Sequence, residues 1–455
     1  MNEALKPLAQ TLGTSLVTDP DILRAYAHDE AVLAPFEQPI ALVRPKNADE
    51  ALTTVKFCVA NNIPLVARGA GTGLSGGANA TKGCIVVCFE AMNKIIKIDP
   101  DERIAIVQPG VVNDDLRDAC AEHGLWYPPD PASAPWSTIG GNVGTNAGGL
   151  CCVKYGVTRD YVLGIEAIVG KGEKVKLGRR TAKGVAGYDL TALFVGSEGT
   201  LGLVTEITLR LRPIQSAEKT VVGYFDDLPS AGRAAAAVTA SGVSPSALEL
   251  LDRYCLKAVD KWKNMGLADE GNVLLLARTD APGEQGDIEA DILLDCFEKS
   301  GSVWCARSSN ETEAEALFAA RRLVFPALKL LGSVLTEDIC VPRTKVAEMC
   351  ARINEVAAAY DIYIACIAHV GDGNLHPLIV IPHDEEEAMD RSREALEQIV
   401  DHAIELGGTV TGEHGVGLLK MRGLAKEVGP VVLDMHRSIK NALDPANIFN
   451  PGKVF

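Results

Sequence analysis

The stretch ARGAGTGLSGGA, residues 67–78, constrains this chain more than any other part of it. It contains Gly71-x-Gly73-x-x-Gly76, the spacing of a Rossmann dinucleotide site. Such a site needs a strand before it and a helix after it, so that a pyrophosphate meets the helix N-terminus. The run ahead of it, IPLVA, reads as a strand. The run behind it, GGANATKG, has no apolar stripe, and CIVVCF then reads as another strand. The order is strand, glycine loop, strand, which is not a Rossmann topology. Glycine takes positive φ at no steric cost. Successive N–H groups can then curl into an anion-binding nest without a helix. The segment reads as a phosphate cradle made of backbone; a plain glycine-rich turn is the alternative for this stretch alone.

Two further glycine blocks follow. PPDPASAPWSTIGGNVGTNAGG (128–149) is too long and too polar for a simple turn, and loops of that length in compact domains are usually functional or disordered. GSEGTLGLVTE (196–206) reads as a turn feeding a strand. Around them, residues 1 to 212 alternate helical and strand patterns. NADEALTTVKFCVANN is the clearest helix, with Asn47 as N-cap, Asp49 and Glu50 in the first turn, and Leu52, Val55 and Val59 on one stripe. Pro213 reads as a boundary. Beyond it the pattern predicts an α+β sheet with helices on one face. Next comes a long amphipathic helix in DEEEAMDRSREALEQIVDHAIELGG, stopped by Gly407-Gly408. The tail HRSIKNALDPANIFNPGKVF reads as a short helix and an extended segment.

At 455 residues the chain has room for two or three domains. Its net charge of −16 argues against non-specific nucleic-acid binding and against an anionic membrane surface. The 12 cysteines include no CxxC pair, so iron–sulfur and zinc-ribbon spacings are absent. Cys84 and Cys88 share one strand face, which is a core pattern. With no secretory signal and no apolar run near the ~20 residues of a membrane span, the expectation is free thiols in a cytoplasmic protein. Peripheral contact with a membrane face is left open.

Three of the eight histidines fall in two compact motifs, AHVGDGNLHP (368–377) and TGEHGVG (411–417). His369 and His376 are seven residues apart, but the intervening GDGN forbids a helix. A hairpin turn between IYIACIA and LIVI would bring the rings together instead. Glu413 and His414 add a carboxylate and a third imidazole. Two histidines and a carboxylate suit Zn²⁺, Mn²⁺ or Fe²⁺ with open positions, and the spare histidine suits a general base. Two classes fit: a metal-dependent hydrolase, or a redox enzyme whose cradle holds a dinucleotide while a metal holds substrate. Three glycine blocks favour the redox class.

The motifs PLVARGAGTGLSGGA, PPDPAS…STIGGNVGTNAGG, GSEGTLGLVTEITLRL, LFAARR, HVGDGNLHPLI, GEHGVG and the terminal NPGK occur here in that order. The chain resembles, end to end, the FAD-linked 2-hydroxy acid dehydrogenases of the vanillyl-alcohol-oxidase (p-cresol methylhydroxylase) superfamily. These include D-lactate dehydrogenases, the D subunit of glycolate oxidase and D-2-hydroxyglutarate dehydrogenases. The resemblance implies an α+β architecture: an FAD-binding domain over 1–212, a substrate and metal cap over 213–420, and a segment 421–455 returning to the first domain. It implies that Arg68, Gly69, Ala70, Gly71, Thr72, Gly73, Ser75, Gly76 and Gly77 wrap the FAD diphosphate. Pro129, Asp130, Ser133, Thr138, Gly140, Gly141, Asn142, Gly144, Asn146 and Gly148 then run along the flavin. Glu198, Gly202 and Ile207 meet the adenosine end and the sheet, and Asn450 brings the C-terminus back to the cofactor. The first glycine loop has no histidine, so FAD is expected to be non-covalent. A divalent metal, zinc before manganese or iron, falls on His369, His376 and Glu413. His414 becomes the base and Arg321 of LFAARR the carboxylate-binding cation.

The implied reaction is oxidation of a small D-2-hydroxy acid to the 2-oxo acid, with hydride passing to the flavin. Electrons leave to a quinone, a cytochrome, an electron-transfer protein or an Fe–S partner subunit; a homodimer is also compatible. The hydroxyglutarate branch resembles a set with lysine, threonine and asparagine for its distal carboxylate. Thr336, Phe325 and Leu378 stand at those positions here, which favours a monocarboxylate such as D-lactate or glycolate; Arg343 or Lys345 nearby is the alternative source of the cation, with D-2-hydroxyglutarate as the alternative substrate.

Overall fold

A computed structural model of the chain describes residues 3–181, 183–382 and 386–455. The chain forms two compact units. The first takes the residues up to Gly149, Gly156–Ile214 and Glu413–Phe455; the second takes Leu150–Tyr155 and Gln215–Gly412.

The first unit holds two sheets. In one, the strands Leu16–Val17, Ala41–Val43, Ile85–Cys88 and Leu65–Arg68 lie side by side in that order. Ile85–Cys88 pairs in parallel with both Ala41–Val43 and Leu65–Arg68. Parallel neighbours need a crossover, usually a helix. Between Leu65–Arg68 and Ile85–Cys88 the crossover is the glycine segment, and it contains no helix. Helix Ala48–Asn61 covers this sheet. Asn47 Oδ1 accepts from the N–H groups of Asp49 and Glu50, and Asn62 ends the helix in the left-handed conformation at φ 52. Its buried stripe is Ala51, Thr54, Val55 and Cys58, and Leu52 and Val59 flank that core rather than centre it. Cys84 and Cys88 are both buried in a small cluster against this sheet, and no disulfide is present among the described residues. The second sheet is antiparallel, in the order Ile95–Asp99, Ile104–Val107, Leu203–Arg210, Val162–Val169, Glu173–Gly178.

The tail of this unit differs from the short helix expected. The helical segment runs Met421–Leu443, with a break at Gly429, φ 73, directly before Pro430. The proline restarts the helix at a position where its missing N–H costs nothing.

The second unit is built on an antiparallel sheet in the order Trp304–Arg307, Lys219–Phe225, Val273–Thr279, Ala247–Leu251, Tyr363–His369, Asn374–Ile381, Ser333–Thr336. Helices cover both faces, not one. On one face Val222, Tyr224, Ala365, Ile367 and Leu378 pack against Leu256 of helix Arg253–Lys263 and Phe318 of helix Glu311–Lys329. On the other, Gly223 lies so close to helix Glu284–Lys299 that a Cβ would be 2.6 Å from Phe297. Strands buried on both faces carry continuous apolar runs rather than alternation. VLLLART at 273–279 is such a run, buried at every residue. The long amphipathic helix is Glu386–Glu405; its expected start at Asp384 and Glu385 lies outside the described residues. No helix among the described residues is long and apolar enough to cross a membrane.

Candidate functional site

In the first unit the glycine segments converge on one cleft. It is lined from the first loop by Arg68 to Gly73, Ser75 and Gly77. The second block contributes Ser133, Thr138, Gly140, Gly141, Asn142, Gly144 and Gly148. Glu198 and Gly202 come from the third, and Glu413 and His414 from the chain's last segment. Backbone proximity explains the glycines. A Cβ on Gly71, at φ +83, would lie 2.0 Å from the Arg68 guanidinium, and one on Gly69 would lie 2.5 Å from Thr138 Oγ1. These walls have no room for side chains at the two glycines, so backbone lines the cleft there, as a backbone-lined anion cradle requires.

The second block is not simply a loop. Ile139–Thr145 is a short helix, capped by Thr138 Oγ1, which accepts from Gly141 N–H at 3.3 Å. Asn113 Nδ2 donates to Asn142 Oδ1 at 2.9 Å, and Asn142 Nδ2 donates to Ser137 Oγ at 3.2 Å. This network holds the helix from inside.

The remaining residues of the expected cofactor set lie off the lining. Gly76 packs against Ala34 and Leu418. The Pro129 carbonyl accepts from Asn113, and the Asp130 backbone abuts Gly149. Asn146 caps the short helix at φ 54 while its side chain accepts from Arg159 N–H. Ile207 is buried in the antiparallel sheet. Asn450 Nδ2 donates to the carbonyls of Gly77, at 2.9 Å, and Glu198, at 2.6 Å. It thus braces the first and third glycine blocks from behind.

Two residues that the sequence did not single out belong to this frame. Asp29 lines the cleft and accepts from the N–H groups of Ala31 and Ala78. Lys453 is buried and donates to the carbonyls of Gly77 and Asn79 and to Asn450 Oδ1. Burial pushes the Lys453 ammonium down to about 8, against the attraction of Cys84, Asp29 and Glu198.

The Glu198 carboxylate faces the loop that carries His414. Its oxygens accept from Val416 N–H at 2.7 Å and Gly417 N–H at 2.8 Å. Ser75 Oγ donates to the Gly415 carbonyl at 2.8 Å. Gly415 and Gly417 have φ +86 and +51, and a Cβ on either would strike Glu198 or the Ser75 backbone. GEHGVG is therefore a tight loop pinned at both sides, with His414 Nε2 3.6 Å from the Glu413 carboxylate. Burial drives the Glu198 carboxyl up to about 7, opposed by the two N–H donors and by Lys453.

In the second unit GDGN is a hairpin turn. Strands Tyr363–His369 and Asn374–Ile381 pair antiparallel, with Ile367 opposite His376 and His369 opposite Asn374. The His369 and His376 rings meet edge to face, with centroids 5.1 Å apart. His369 Nδ1 is 2.6 Å from Glu249 Oε1, and Glu249 Oε2 accepts from Arg321 Nε at 2.9 Å. Burial alone would raise the Glu249 carboxyl, but His369 and Arg321 hold it below its ordinary value. Near His376, buried Asp338 accepts from Asn374 Nδ2, Thr411 Oγ1 and Gly412 N–H. Asp338 carries no local signal in the sequence, and the only one at Glu249 is its charge inside the apolar run ALELL. Thr336 sits directly across the ladder from Leu378, and Phe325 packs on the same apolar cluster. Phe325 is four residues from Arg321, hence on the same side of its helix. Arg343 is exposed, and Lys345 is paired with Glu348.

Comparison with known proteins matches residues 39–178 to the FAD binding domain family and residues 214–454 to the family of FAD linked oxidases, C-terminal domain. The glycolate oxidase subunit GlcD of Bacillus subtilis is 41% identical over 418 residues, 92% of this chain and 89% of that protein. A D-lactate dehydrogenase of Archaeoglobus fulgidus is 36% identical over 94% of this chain and 95% of its own length. Among solved structures, p-cresol methylhydroxylase with substrate bound shares the fold at a TM-score of 0.82 and 20% identity, over 100% of this chain and 96% of that one.

Proposed function

The chain belongs to the FAD-linked oxidase family, and from that premise we propose that it oxidises a small D-2-hydroxy monocarboxylate, of the D-lactate or glycolate class, to the 2-oxo acid. It is an FAD-dependent oxidoreductase, so the metal-dependent hydrolase reading is set aside. One observation carries the substrate proposal. Arg321, Glu249 and His369 form a continuous chain of hydrogen bonds on the sheet face that also presents His376, and Phe325 and the buried Leu378 belong to the apolar cluster packed on that face.

The residues present fit both groups that the family implies. The first unit offers a cleft walled by glycine backbone, where added Cβ atoms would collide. The second offers two adjacent imidazoles, one already anchored at Nδ1 by a carboxylate, the usual support of a metal-ligating histidine. His369 and His376 would hold the metal with Glu413, the residue that follows the Asp338-bound Gly412. Bound FAD supplies the two-electron acceptor and a divalent metal supplies a Lewis acid for the 2-hydroxyl. Arg321 holds the substrate carboxylate through its guanidinium. His414 takes the hydroxyl proton, and the Cα hydrogen departs with the electron pair, leaving the C=O of the 2-oxo acid. FAD is held without a covalent bond, and an external acceptor reoxidises it.

Phe325 and Leu378, taken to face the substrate's side chain, decide between substrates. A distal carboxylate set against Phe325 and Leu378 would lose its hydration for no partner, a cost of several kcal/mol. A methyl or ethyl group there gains about 0.8 kcal/mol per buried CH₂. Anaerobic flavin bleaching by D-lactate, D-2-hydroxybutyrate, glycolate and D-2-hydroxyglutarate, with and without chelator, tests the reading. The monocarboxylates should have the higher kcat/KM; a clear preference for the dicarboxylate would reverse the substrate assignment.

A further inference from the structure

We infer that Glu249 is a positioning residue that orients a metal-binding histidine and a carboxylate-binding arginine together. The inference rests on the function proposed above and adds to it a residue that fixes how two parts of one substrate are held.

Glu249 lies on strand Ala247–Leu251, opposite His369 in the ladder, and is fully buried. A buried carboxylate is costly unless each oxygen is paired. Here each oxygen has a separate partner: Oε1 the His369 ring at 2.6 Å, Oε2 the Arg321 Nε at 2.9 Å. A carboxylate only accepts, so Nδ1 of His369 carries a hydrogen. The ring then offers Nε2 as its lone pair for a metal.

The contact to Arg321 works the same way at the other end. It occupies Nε and leaves the two terminal nitrogens of the fork, the end that grips a carboxylate through two parallel bonds. The Arg321 side chain is only 15% exposed. A 2-hydroxy acid presents a hydroxyl and a carboxylate on adjacent carbons. The groups proposed to hold them are joined by one rigid side chain, so their separation is set by Glu249 rather than by two independent rotamers. A stabilising ion pair would need only Arg321 and Glu249. The third member, a histidine edge to face with a second histidine, is what a support for a metal ligand requires.

Glu249→Gln is the test. The amide keeps the shape but accepts at one atom and presents N–H at the other, so either the Arg321 contact is lost or His369 must turn away or switch tautomer to accept at Nδ1. In the flavin-loaded enzyme, stripped by chelator and titrated with Zn²⁺ or Mn²⁺, the variant should bind metal 10–100-fold more weakly. Its KM for D-lactate should rise as well, with flavin content unchanged. In metal-free protein labelled with ¹⁵N-histidine, the His369 signal should lose the Nδ1-protonated form dominant in the wild type. Arg321→Lys should raise KM while leaving metal affinity near wild type. A Glu249→Gln protein that melts earlier yet keeps its metal affinity, KM and His369 tautomer would reduce Glu249 to a structural ion pair and overturn the inference. Should Glu249→Gln fail to fold, Glu249→Asp, which withdraws the charge by one methylene, is read in the same assays by the same criteria. A wild-type enzyme that binds neither metal would instead refute the metal assignment, and the tautomer and KM shifts would still judge Glu249.

Discussion

Replacing Glu198 by glutamine should loosen the loop that carries His414 without emptying the cleft proposed for the flavin. The Glu198 carboxylate accepts two N–H groups, from Val416 and Gly417, at 2.7 and 2.8 Å. Hydrogen bonds to a charged group contribute about 1.5–3 kcal/mol each, and an orphaned buried donor costs about 1–3 kcal/mol. Glutamine keeps one acceptor and turns an NH₂ toward the other amide. Above about pH 7, where Glu198 is charged, the loop should therefore open about 2–4 kcal/mol more easily, a loss of roughly 30- to 1000-fold in hydrogen-exchange protection at Val416 and Gly417.

The pH dependence gives an independent handle on the same residue. Burial raises the folded Glu198 carboxyl to about 7, above its ordinary 4.5. Between those values the folded state binds more protons than the unfolded one, so the contribution to stability is present at low pH and is lost as pH rises to about 7. The full shift corresponds to about 3 kcal/mol at most. Glutamine does not titrate, so wild type and variant should differ in the pH slope of stability across that window and run parallel above it. Hydrogen exchange of 416–417, with unfolding curves from pH 4.5 to 8, measures both effects. Unchanged protection together with identical pH slopes would refute the clamp. A loosened loop with an unchanged rate of flavin reduction would show that its tightness does not serve His414.

Other outcomes follow from the site. The isolated protein should hold about one FAD per chain, released by acid; flavin left in the precipitated protein would contradict non-covalent binding. Alanine at His369, His376 or Glu413 should lower metal content and turnover together while the flavin spectrum stays, and full activity after chelation with no metal found would remove the metal. His414→Ala should keep the metal and slow flavin reduction by about 10²–10⁴, as loss of a general base does; unaltered reduction would assign the proton to another group.

What the sequence made legible was local chemistry. The first glycine segment could be read as a helix-free link between two strands because nothing in GGANATKG supplies an apolar stripe, whereas the parallel pairing of those strands had no signal there, since such pairing is usually made by a helical crossover. The histidine hairpin was equally plain, since GDGN leaves two flanking strands no other way to meet. The helix at Ile139–Thr145 was hidden by its own glycines. Three of them in seven residues cost roughly 1 kcal/mol each relative to alanine. Only its caps, its side-chain network and Pro109, which leaves no space for a Cβ on Gly140, make it helical.

The partners of the functional groups were hidden for a different reason. Glu249 is 120 residues from His369, and Glu198 is 218 from Val416. Each meeting is decided by strand order or by a distant loop docking, which no local period encodes. Glu249 occupies an inward position of ALELL, a run that reads as plain core, and a carboxylate there is tolerable only once His369 and Arg321 arrive. A charged residue inside an otherwise apolar strand is thus itself a signal: it announces partners supplied by the fold, and here both lie where the substrate is proposed to bind.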